Sequence, residues 1–573
     1  MINIVNKKFA FVLATCLATT TAYSMDRVAG GNLTFASGVF GENASRGTIH
    51  GFSGAIYQEG DSEYTSKIEQ YATTSFPKDK MSPFMVAYPK DVGDIQVALN
   101  FARTANKKVV ARSGGHQYCG KSSGGNDTIV LSMDNFATLK RLENGLAEVG
   151  PCVKLENLAT QFKQWGITIP HGECPLVNIG GHLQTGGWGH LLHSFGLGLD
   201  YVHAFDIILA DGTFKTVTRP TAEPQTTAEK QNLELFRGVL GGNAGSFGII
   251  TKYILTPIKD TDHPRSWGFS KERVYNKSLF RSLMQEVQGW TQKIEADIQT
   301  GQDIDSLKGL DFMMTVESSR GWPLPPILVV ECVYSDLNGN VPYKNQFDSI
   351  VKKSKENQSW LDRGLSLILG FEGEKTLSAL SDSFVRRFPR TTLNGHEFSD
   401  PYKKRVNVTM QALSDGFVDQ FSTKIDEVVS NEPNVKLVFQ MAFGGGALRA
   451  KGNEMIAGTT ITSIPHRDML YQFVFDLFYK PGYEQRAISL QEQMQTILDS
   501  YFHNDSHERR MFWGSFGDTN MQKLEVQKMY YDSPEQYERL QDLKHQVDPN
   551  DIFHTDMTVK LQEHHQNHYK HSV

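Results

Sequence analysis

The sequence predicts an α+β fold built in two parts, and three observations support this. In residues 80–260, short strands alternate with amphipathic helices and glycine-rich loops. From about residue 265 to about 500, longer helical patterns alternate with apolar strands such as LPPILVVECVYS, VKLVFQMAF and MLYQFVFDLFY. A chain of 573 residues is also too long for one ordinary core and suits two domains.

The first part opens with a predicted strand–helix–strand unit. MVAYP is typical of a short strand, and KVVARSG is typical of a second strand that ends in glycine. Between them, Asp91 is placed to cap a helix from Val92 to about Ala105. The apolar face of this helix carries Ile95, Ala98, Leu99 and Ala102. Residues 25–80, which precede this unit, are expected to be a loose lead-in.

The alternation continues along the rest of the first part. Strands are predicted at TIVLSM and LAEVG, and an amphipathic helix at residues 152–165. VHAFDIILADG predicts a strand pair that turns at Asp211 and Gly212, and ELFRGVLGGNAGSFGIITKYIL predicts a helix, a glycine loop and a strand. Near the C-terminus, QYERLQDLKHQVDPNDIFHTD predicts a helix, an Asp-Pro turn and an extended segment.

Composition and the N-terminus limit the partners and the compartment. The net charge is −6 without a basic block, so we expect no nucleic-acid partner. Lys7 and Lys8 followed by an apolar run predict a signal peptide over residues 1–24, and therefore a secreted or periplasmic protein. A buried strand or a short anchor are the alternatives. No later stretch predicts a membrane span, and we expect a monomer.

The cysteines argue against a metal centre. Removal of the signal peptide would leave four of the five: Cys119, Cys152, Cys174 and Cys332. They contain no CxxC pair, so we predict no metal site. An exported protein could hold one disulfide, and the spacing leaves the pairing open.

Three glycine-rich loops, at residues 112–115, 180–189 and 241–248, follow strands or precede helices. Successive exposed N–H groups in such loops bind phosphates well. Neither a P-loop nor a dinucleotide-binding GxGxxG unit is present. The three loops together predict an elongated, phosphate-bearing cofactor, and ordinary turns are the alternative.

Four blocks in the same order resemble the berberine bridge enzyme-like family of FAD-linked oxidases, within the vanillyl-alcohol-oxidase (PCMH-type) flavoprotein superfamily. The blocks are RSGGHQYCGKS, GECPLVNIGGHLQTGGWGHLLHSFGLGLDYV, LFRGVLGGNAGSFGIIT and YERLQDLKHQVDPNDIF. The resemblance covers residues 80–260 and 440–560. It implies an FAD-binding domain at 25–262 made of two α/β subdomains, a substrate domain at 263–505 with a helix-covered antiparallel sheet, and a C-terminal segment, 506–573, that returns to the first domain.

The resemblance implies two covalent bonds to the flavin. In the family, the histidine of RSGGH bonds to the 8α-methyl group and the cysteine of the CP motif bonds to ring carbon C6, and these roles fall on His116 and Cys174. Taken singly, a loop histidine and a buried thiol are the plainer interpretations. The implied FAD contacts also include Arg112, Ser113, Gly114, Gly115, Gly180, Gly181, His182, Gly186, Gly187, Gly189, Gly245, Ser246, Gly248, Ile250 and Asn550.

Catalysis is less well defined by the resemblance. Val177 matches the family's oxygen gate, although Asn178 follows it where the family has glycine. A tyrosine base is expected in the stretch FWGSFGDTN, where this chain has Trp513 and Phe516. Other catalytic candidates are Gln472 and Asp476, which share one face of a strand, together with Tyr530 and its neighbour Tyr531. Packing or surface roles are the plainer interpretation for each.

The sequence therefore predicts an exported FAD oxidase with bicovalent flavin. It would oxidise an alcohol, hemiacetal or amine carbon of a small molecule and reduce O₂ to hydrogen peroxide. One alternative is a dehydrogenase that uses another acceptor. The second alternative, a flavin-loaded binding protein with little turnover, is favoured by the missing tyrosine.

Overall fold

The predicted strand–helix–strand unit belongs to a four-stranded sheet in the computed structural model. Its elements are β1 (Ala55–Tyr57), α1 (Tyr64–Ile68), β2 (Met85–Tyr88), α2 (Val92–Thr104), β3 (Lys108–Arg112) and β4 (Thr128–Ser132). The order is β1–β2–β4–β3, with β2 and β3 parallel to β4. The Asp91 carboxylate accepts the N–H of Asp94 at 3.0 Å and caps α2, as predicted. The expected lead-in contains β1 and α1, which the sequence patterns missed.

The structure describes residues 47–69, 71, 81–118, 120–300, 309–318, 325–335, 337, 343–386, 400–502, 509–511, 527–528, 530–531 and 533–562. The predicted signal peptide, Cys119, Trp513 and Phe516 lie outside these residues. No helix within the described ranges has both the length and the apolar run that crossing a membrane requires.

A second, antiparallel sheet follows, with the order β5–β6–β10–β8–β9. This region contains β5 (Leu139–Arg141), β6 (Ala147–Val149), α3 (Leu155–Trp165), β7 (Ile167–Thr168), α4 (Ile179–Gln184), α5 (Leu192–Phe195), β8 (Val202–Ile208), β9 (Phe214–Thr218), α6 (Thr227–Val239), β10 (Ile249–Leu255) and β11 (Ile258–Lys259). The hairpin of β8 and β9 turns at Asp211 and Gly212, as predicted. The Asp211 carboxylate accepts the N–H of Thr213 at 2.8 Å, and Gly212 has φ +88°.

The third sheet has seven antiparallel strands in the order β15–β12–β14–β13–β17–β20–β16. Its region contains β12 (Ser266–Val274), α7 (Lys277–Gln299), β13 (Leu310–Glu317), β14 (Ile327–Ser335), α8 (Lys344–Lys355), α9 (Trp360–Leu369), β15 (Phe371–Lys375), α10 (Leu377–Arg386), β16 (Tyr402–Thr409), α11 (Asp415–Asn431), β17 (Val435–Phe443), α12 (Gly446–Gly452), β18 (Met455–Ile456), β19 (Thr459–Thr460), β20 (Tyr471–Tyr479) and α13 (Glu484–Tyr501). A last helix, α14 (Pro534–Val547), follows. The predicted α+β fold with a helix-covered antiparallel sheet is confirmed.

The two faces of the seven-stranded sheet have different compositions because successive side chains on a strand point to opposite faces. The apolar face packs against α7, α8, α11 and α13, and its buried side chains include Phe312, Val330, Phe439 and Phe473. The opposite face carries Asp311, Thr315, Glu331, Lys404, Gln440, Gln472 and Asp476, and we name it the polar face.

The C-terminal helix packs on the first part of the chain. Arg539 of α14 pairs with Glu234 of α6, with its Nε 2.8 Å from the carboxylate. The fully buried Lys544 donates to the carbonyl of Ser246 at 3.0 Å and to Asp548 at 2.7 Å. These contacts agree with a C-terminal segment that returns to the first domain, although the residue boundaries of the domains remain predictions.

Candidate active site

The Gly-Gly pair before His116 allows a close approach between two loops. A Cβ at Gly114 would lie 2.8 Å from Cγ of Asn178, which is too close for any larger residue. Gly115 has φ +66°, in the left-handed region that glycine adopts most easily. Asn178, which departs from the family pattern, fits this arrangement because its side-chain amide donates to the carbonyl of Cys152 at 3.2 Å.

The three glycine loops converge on one another. A Cβ at Gly180 would lie 3.1 Å from Oγ of Ser113, so the first and second loops touch. Gln184 joins the second loop to the third: its carbonyl accepts the N–H of Gly241 at 3.0 Å, and its side-chain oxygen accepts the N–H of Gly245 at 3.1 Å.

The convergent loops fit an elongated phosphate-bearing group. At Gly181 and Gly245, a Cβ would meet no other heavy atom within 4 Å, so the backbone at both positions faces open space. Loops that present bare backbone to one region are suited to phosphates. By contrast, Gly186 and Gly187 have φ +115° and +77° and form a tight turn, and Gly189 passes so close to the carbonyl of His171 that a Cβ would lie 1.7 Å away.

His116 lies among buried neutral imidazoles. Burial, with smaller contributions from His171 and His116, lowers the pKa of His182 to about 3, and its Nε2 accepts the N–H of Gly172 at 3.0 Å. Burial also lowers the pKa of His171 to about 4. The ring of Tyr71 packs on His116 with 4.6 Å between centroids. A neutral imidazole is the nucleophilic form of histidine, so this environment suits flavin attachment.

Cys174 differs from the other described cysteines in its environment. Cys152 and Cys332 are buried free thiols. Burial raises the pKa of Cys152 to about 12 and that of Cys332 well above its usual range, so both are poor nucleophiles. Cys174 is only half-buried. No disulfide joins any two of these three cysteines.

Both loops that carry the predicted attachments contact the polar face of the seven-stranded sheet. Two residues after His116, the ring of Tyr118 lies 5.1 Å from Nζ of Lys404 on β16. Immediately before Cys174, Glu173 accepts a hydrogen bond of 2.8 Å from Nε2 of Gln440 on β17. Only β20 lies between these two strands, which are therefore about 10 Å apart.

The predicted catalytic residues on β20 lie on this face. Both Gln472 and Asp476 are buried. Asp476 forms an ion pair with Lys404, with oxygens 2.9 and 3.0 Å from Nζ. Nε2 of Gln472 lies 3.3 Å from Sδ of Met511. Their places agree with the predicted strand face, and their catalytic roles remain predictions.

Tyr530 and Tyr531 lie in an apolar cluster that also contains Val474 of β20 and Met511. The ring of Tyr530 packs edge-on against His466 and Tyr531, at 5.2 and 4.9 Å between centroids. Burial raises the pKa of Tyr531 well above its usual range. This environment favours a packing role for the pair at neutral pH.

Other predicted cofactor residues have structural contacts. Arg112 donates to the carbonyl of Lys67 at 2.7 Å, at the end of α1. Oγ of Ser246 accepts the N–H of Val559 at 3.2 Å. Ile250 is buried on β10, Gly248 has φ +158° at the start of that strand, and Asn550 is exposed in the turn after α14. Val177 packs against the apolar cluster that contains Tyr530 and Tyr531, and its carbonyl accepts the N–H of Leu155 at 2.9 Å. Their cofactor and gating roles remain predictions.

The sequence analysis missed a group of acidic side chains and a histidine beside Cys174. Nε2 of His190 lies 3.1 Å from Glu331 on β14 and 3.9 Å from Glu173. Asp311 on β13 accepts the N–H groups of His193 and Ser194 at 2.8 and 3.1 Å, and burial raises its pKa to about 7. One signal was available, because Glu331 interrupts the otherwise apolar strand ILVVECVYS.

Comparisons with known proteins agree with this geometry. The family model described as "FAD binding domain" matches residues 83–218. Glucooligosaccharide oxidase of Sarocladium strictum is 24% identical over 497 residues, covering 83% of this chain and 87% of that enzyme.

Two solved structures share the fold. BBE-like 1 of Physcomitrella patens has a TM-score of 0.67 at 19% identity, covering 90% of this chain and 99% of that one. Glucooligosaccharide oxidase of Acremonium strictum, described with a 6-S-cysteinyl, 8α-N1-histidyl FAD, has a TM-score of 0.66 at 19% identity, covering 88% of this chain and 97% of that one. The resemblance found in the sequence is confirmed: the chain is an FAD-dependent oxidoreductase with a PCMH-type FAD-binding fold, similar to the berberine bridge enzyme-like oxidases.

Proposed function

We propose that the protein is an oxidase of carbohydrate hydroxyl groups with FAD bound covalently to His116 and Cys174. The observation that carries the proposal is the contact of both attachment loops with one polar sheet face, through Lys404 and Gln440. A flavin held from both loops would lie between them and that face. The resemblance to an oxidase described with a cysteinyl and histidyl FAD supports the same arrangement.

Hydroxyl-rich substrates suit the polar face. Thr315, Glu331, Gln440 and Glu173 supply hydrogen-bond donors and acceptors close together. Sites that discriminate between polyhydroxylated molecules need several such groups, since each buried donor or acceptor left unpaired by a wrong substrate costs free energy. Oxidation of a sugar hemiacetal or alcohol is therefore favoured over oxidation of an amine carbon.

The chain's residues would position the substrate, and FAD would supply the two-electron chemistry when bound. Gln440 orients Glu173 beside Cys174. Lys404, which is held by Asp476, contacts Tyr118 in the loop that carries His116. The proposal includes export after cleavage near Ser24, and O₂ as the acceptor, reduced to hydrogen peroxide. N-terminal sequencing of secreted protein checks the first of these.

Anaerobic stopped-flow mixing with glucose, cello-, xylo- and chito-oligosaccharides, simple alcohols and amines tests the function. We expect bleaching of the flavin absorbance by at least one saccharide, followed by reoxidation with O₂ and one equivalent of hydrogen peroxide. Reduction without reoxidation by O₂ would instead favour the dehydrogenase, and no reduction by any compound would favour a flavin-loaded binding protein.

Val177→Leu distinguishes an oxygen gate from a packing residue. If Val177 borders the O₂ path, one added methylene should slow reoxidation by about tenfold or more and leave anaerobic reduction nearly unchanged. The two half-reactions are timed separately by stopped flow. Equal slowing of both would identify Val177 as a packing residue, and no change in either would place the gate elsewhere.

A further inference from the structure

Glu173 is the most exposed member of the group that it forms with His190 and Glu331. It immediately precedes Cys174, and 27% of its side chain is exposed, whereas Glu331 and His190 are 1% and 6% exposed. Among these three groups, Glu173 is therefore the one that a substrate can reach. Nε2 of Gln440 binds one carboxylate oxygen, Oε1, and the other, Oε2, faces His190.

Glu173 and His190 are close but are not hydrogen-bonded to each other. Oε2 of Glu173 lies 3.9 Å from Nε2 of His190, beyond hydrogen-bond distance. A substrate hydroxyl that reaches Oε2 of Glu173 would bind it at about 2.7 Å. The same nitrogen, Nε2 of His190, is 3.1 Å from Glu331, and the ring stacks on Phe384 with 4.0 Å between centroids.

We propose that Glu173 is the catalytic base that takes the proton of the substrate hydroxyl, with His190 and Glu331 as positioning residues. This inference rests on the proposed function, because it supplies the proton acceptor which the oxidation of an alcohol requires. The substrate O–H bond breaks and its proton moves to Oε2 of Glu173. The oxygen electron pair would form the second C–O bond as the carbinol C–H bond breaks, and bound FAD would supply the acceptor for the hydride and its two electrons.

The charges around Glu173 favour this role. One carboxylate oxygen of Glu173, one of Glu331 and a ring nitrogen of His190 all lie within 4.8 Å of one another. A second carboxylate at this distance makes protonation of the first more favourable. Among the described residues, Asp311 of β13 and His171 interact electrostatically with His190, and Asp382 interacts with His171. Uncharged polar neighbours include Gln440 of β17, Thr315 of β13 and Ser270 of β12.

Kinetics of anaerobic flavin reduction with the saccharide that reduces the wild type test the proposal. We expect Glu173→Gln to lower the limiting reduction rate by about 10² to 10⁴ with little change in KM, and to abolish the rise of that rate with pH. Glu331→Gln should shift this rise to lower pH, since a like charge is removed. Glu374→Gln on the exposed edge strand β15 is the matched control and should change neither quantity.

A second readout needs no turnover. Infrared difference spectra recorded during a pH titration show a carboxyl band that Glu173→Gln removes, and the midpoint of that band should move to lower pH in Glu331→Gln. A raised KM with an unchanged limiting rate in Glu173→Gln would make Glu173 a binding residue and overturn the proposal. A carboxyl band whose midpoint stays at the wild-type pH in Glu331→Gln would overturn it as well. A stoichiometric metal ion lost from Glu173→Gln would also overturn it.

Different outcomes contradict the role of Glu173 and the proposed oxidase function. Reduction of the wild type that survives in Glu173→Gln overturns this inference alone. A wild type that no compound reduces overturns the proposed function and this inference together. Retention of FAD and of the wild-type unfolding midpoint by Glu173→Gln shows that a lost rate does not come from misfolding.

Discussion

Phe439 and Gln440 are neighbours on β17, and their side chains point to opposite faces of the seven-stranded sheet. Phe439 is fully buried and packs against aromatic rings of helices and strands, including Phe280, Phe421 and Phe475. Gln440 instead binds Glu173, beside the predicted flavin attachment at Cys174. One strand therefore serves stability on one face and the site on the other, and substitutions on the two faces should have separable effects.

The largest expected effect is on stability, from the apolar face. Phe439→Ala should lower the free energy of unfolding by about 3–5 kcal/mol, because the surrounding rings cannot fill the cavity. Urea denaturation followed by circular dichroism measures this loss. Phe214→Ala, at a ring that is 43% exposed, is the control and should change stability by less than about 0.5 kcal/mol. A loss below about 1 kcal/mol at Phe439 would contradict the division between the faces.

The pH dependence of stability probes the polar face. Burial raises the pKa of Asp311 to about 7, so folding disfavours its ionised form. The raised value means that the contribution of Asp311 to wild-type stability falls as pH rises from about 4 towards 7. Asp311→Asn keeps the acceptor oxygen for His193 and Ser194 and cannot ionise. Its unfolding free energy relative to wild type should therefore rise by about 1–3 kcal/mol between pH 5 and pH 8. A difference that stays constant over this range would show that Asp311 is not titrating there.

The substitution with the smallest expected effect on stability, at Gln440, should have a clear effect on the rate of flavin reduction. Gln440→Ala should cost about 1 kcal/mol of stability, because one hydrogen bond to a partly exposed carboxylate is lost. Flavin reduction by the best saccharide should nonetheless slow about tenfold, because Glu173 loses the group that orients it. Urea denaturation and stopped flow on the same preparation measure both. An unchanged reduction rate would remove Gln440 from the site.

The local sequence signals predicted the parts of this architecture that local patterns determine. The apolar face of α2 is buried at Ile95, Ala98, Leu99 and Ala102, because these positions recur with the helical period. The glycine loops could also be predicted, since many glycines close together are typical of tight turns and of backbone that approaches another group closely. The two attachment positions came from the family resemblance, not from periodicity.

The side-chain contacts between residues far apart in the sequence could not be predicted from local patterns. His190 and Glu331 are 141 positions apart, and Lys404 and Asp476 are 72 apart. Strand pairing brings Lys404 beside Asp476, and packing of the turn before α5 on the sheet brings His190 beside Glu331. Short-range periodicity encodes neither contact. Glu331 gave a partial signal as a charge inside an apolar strand, but nothing in the sequence identified its partner.

Covalent attachment of FAD from both loops is the central claim, and flavin retention after denaturation tests it most directly. Wild type, His116→Ala, Cys174→Ala and the double variant are precipitated with acid, and the flavin in pellet and supernatant is measured by absorbance and by intact mass. The account predicts that the wild type and both single variants keep flavin in the pellet and that the double variant releases all of it. Release from the wild type, or retention by the double variant, would contradict it.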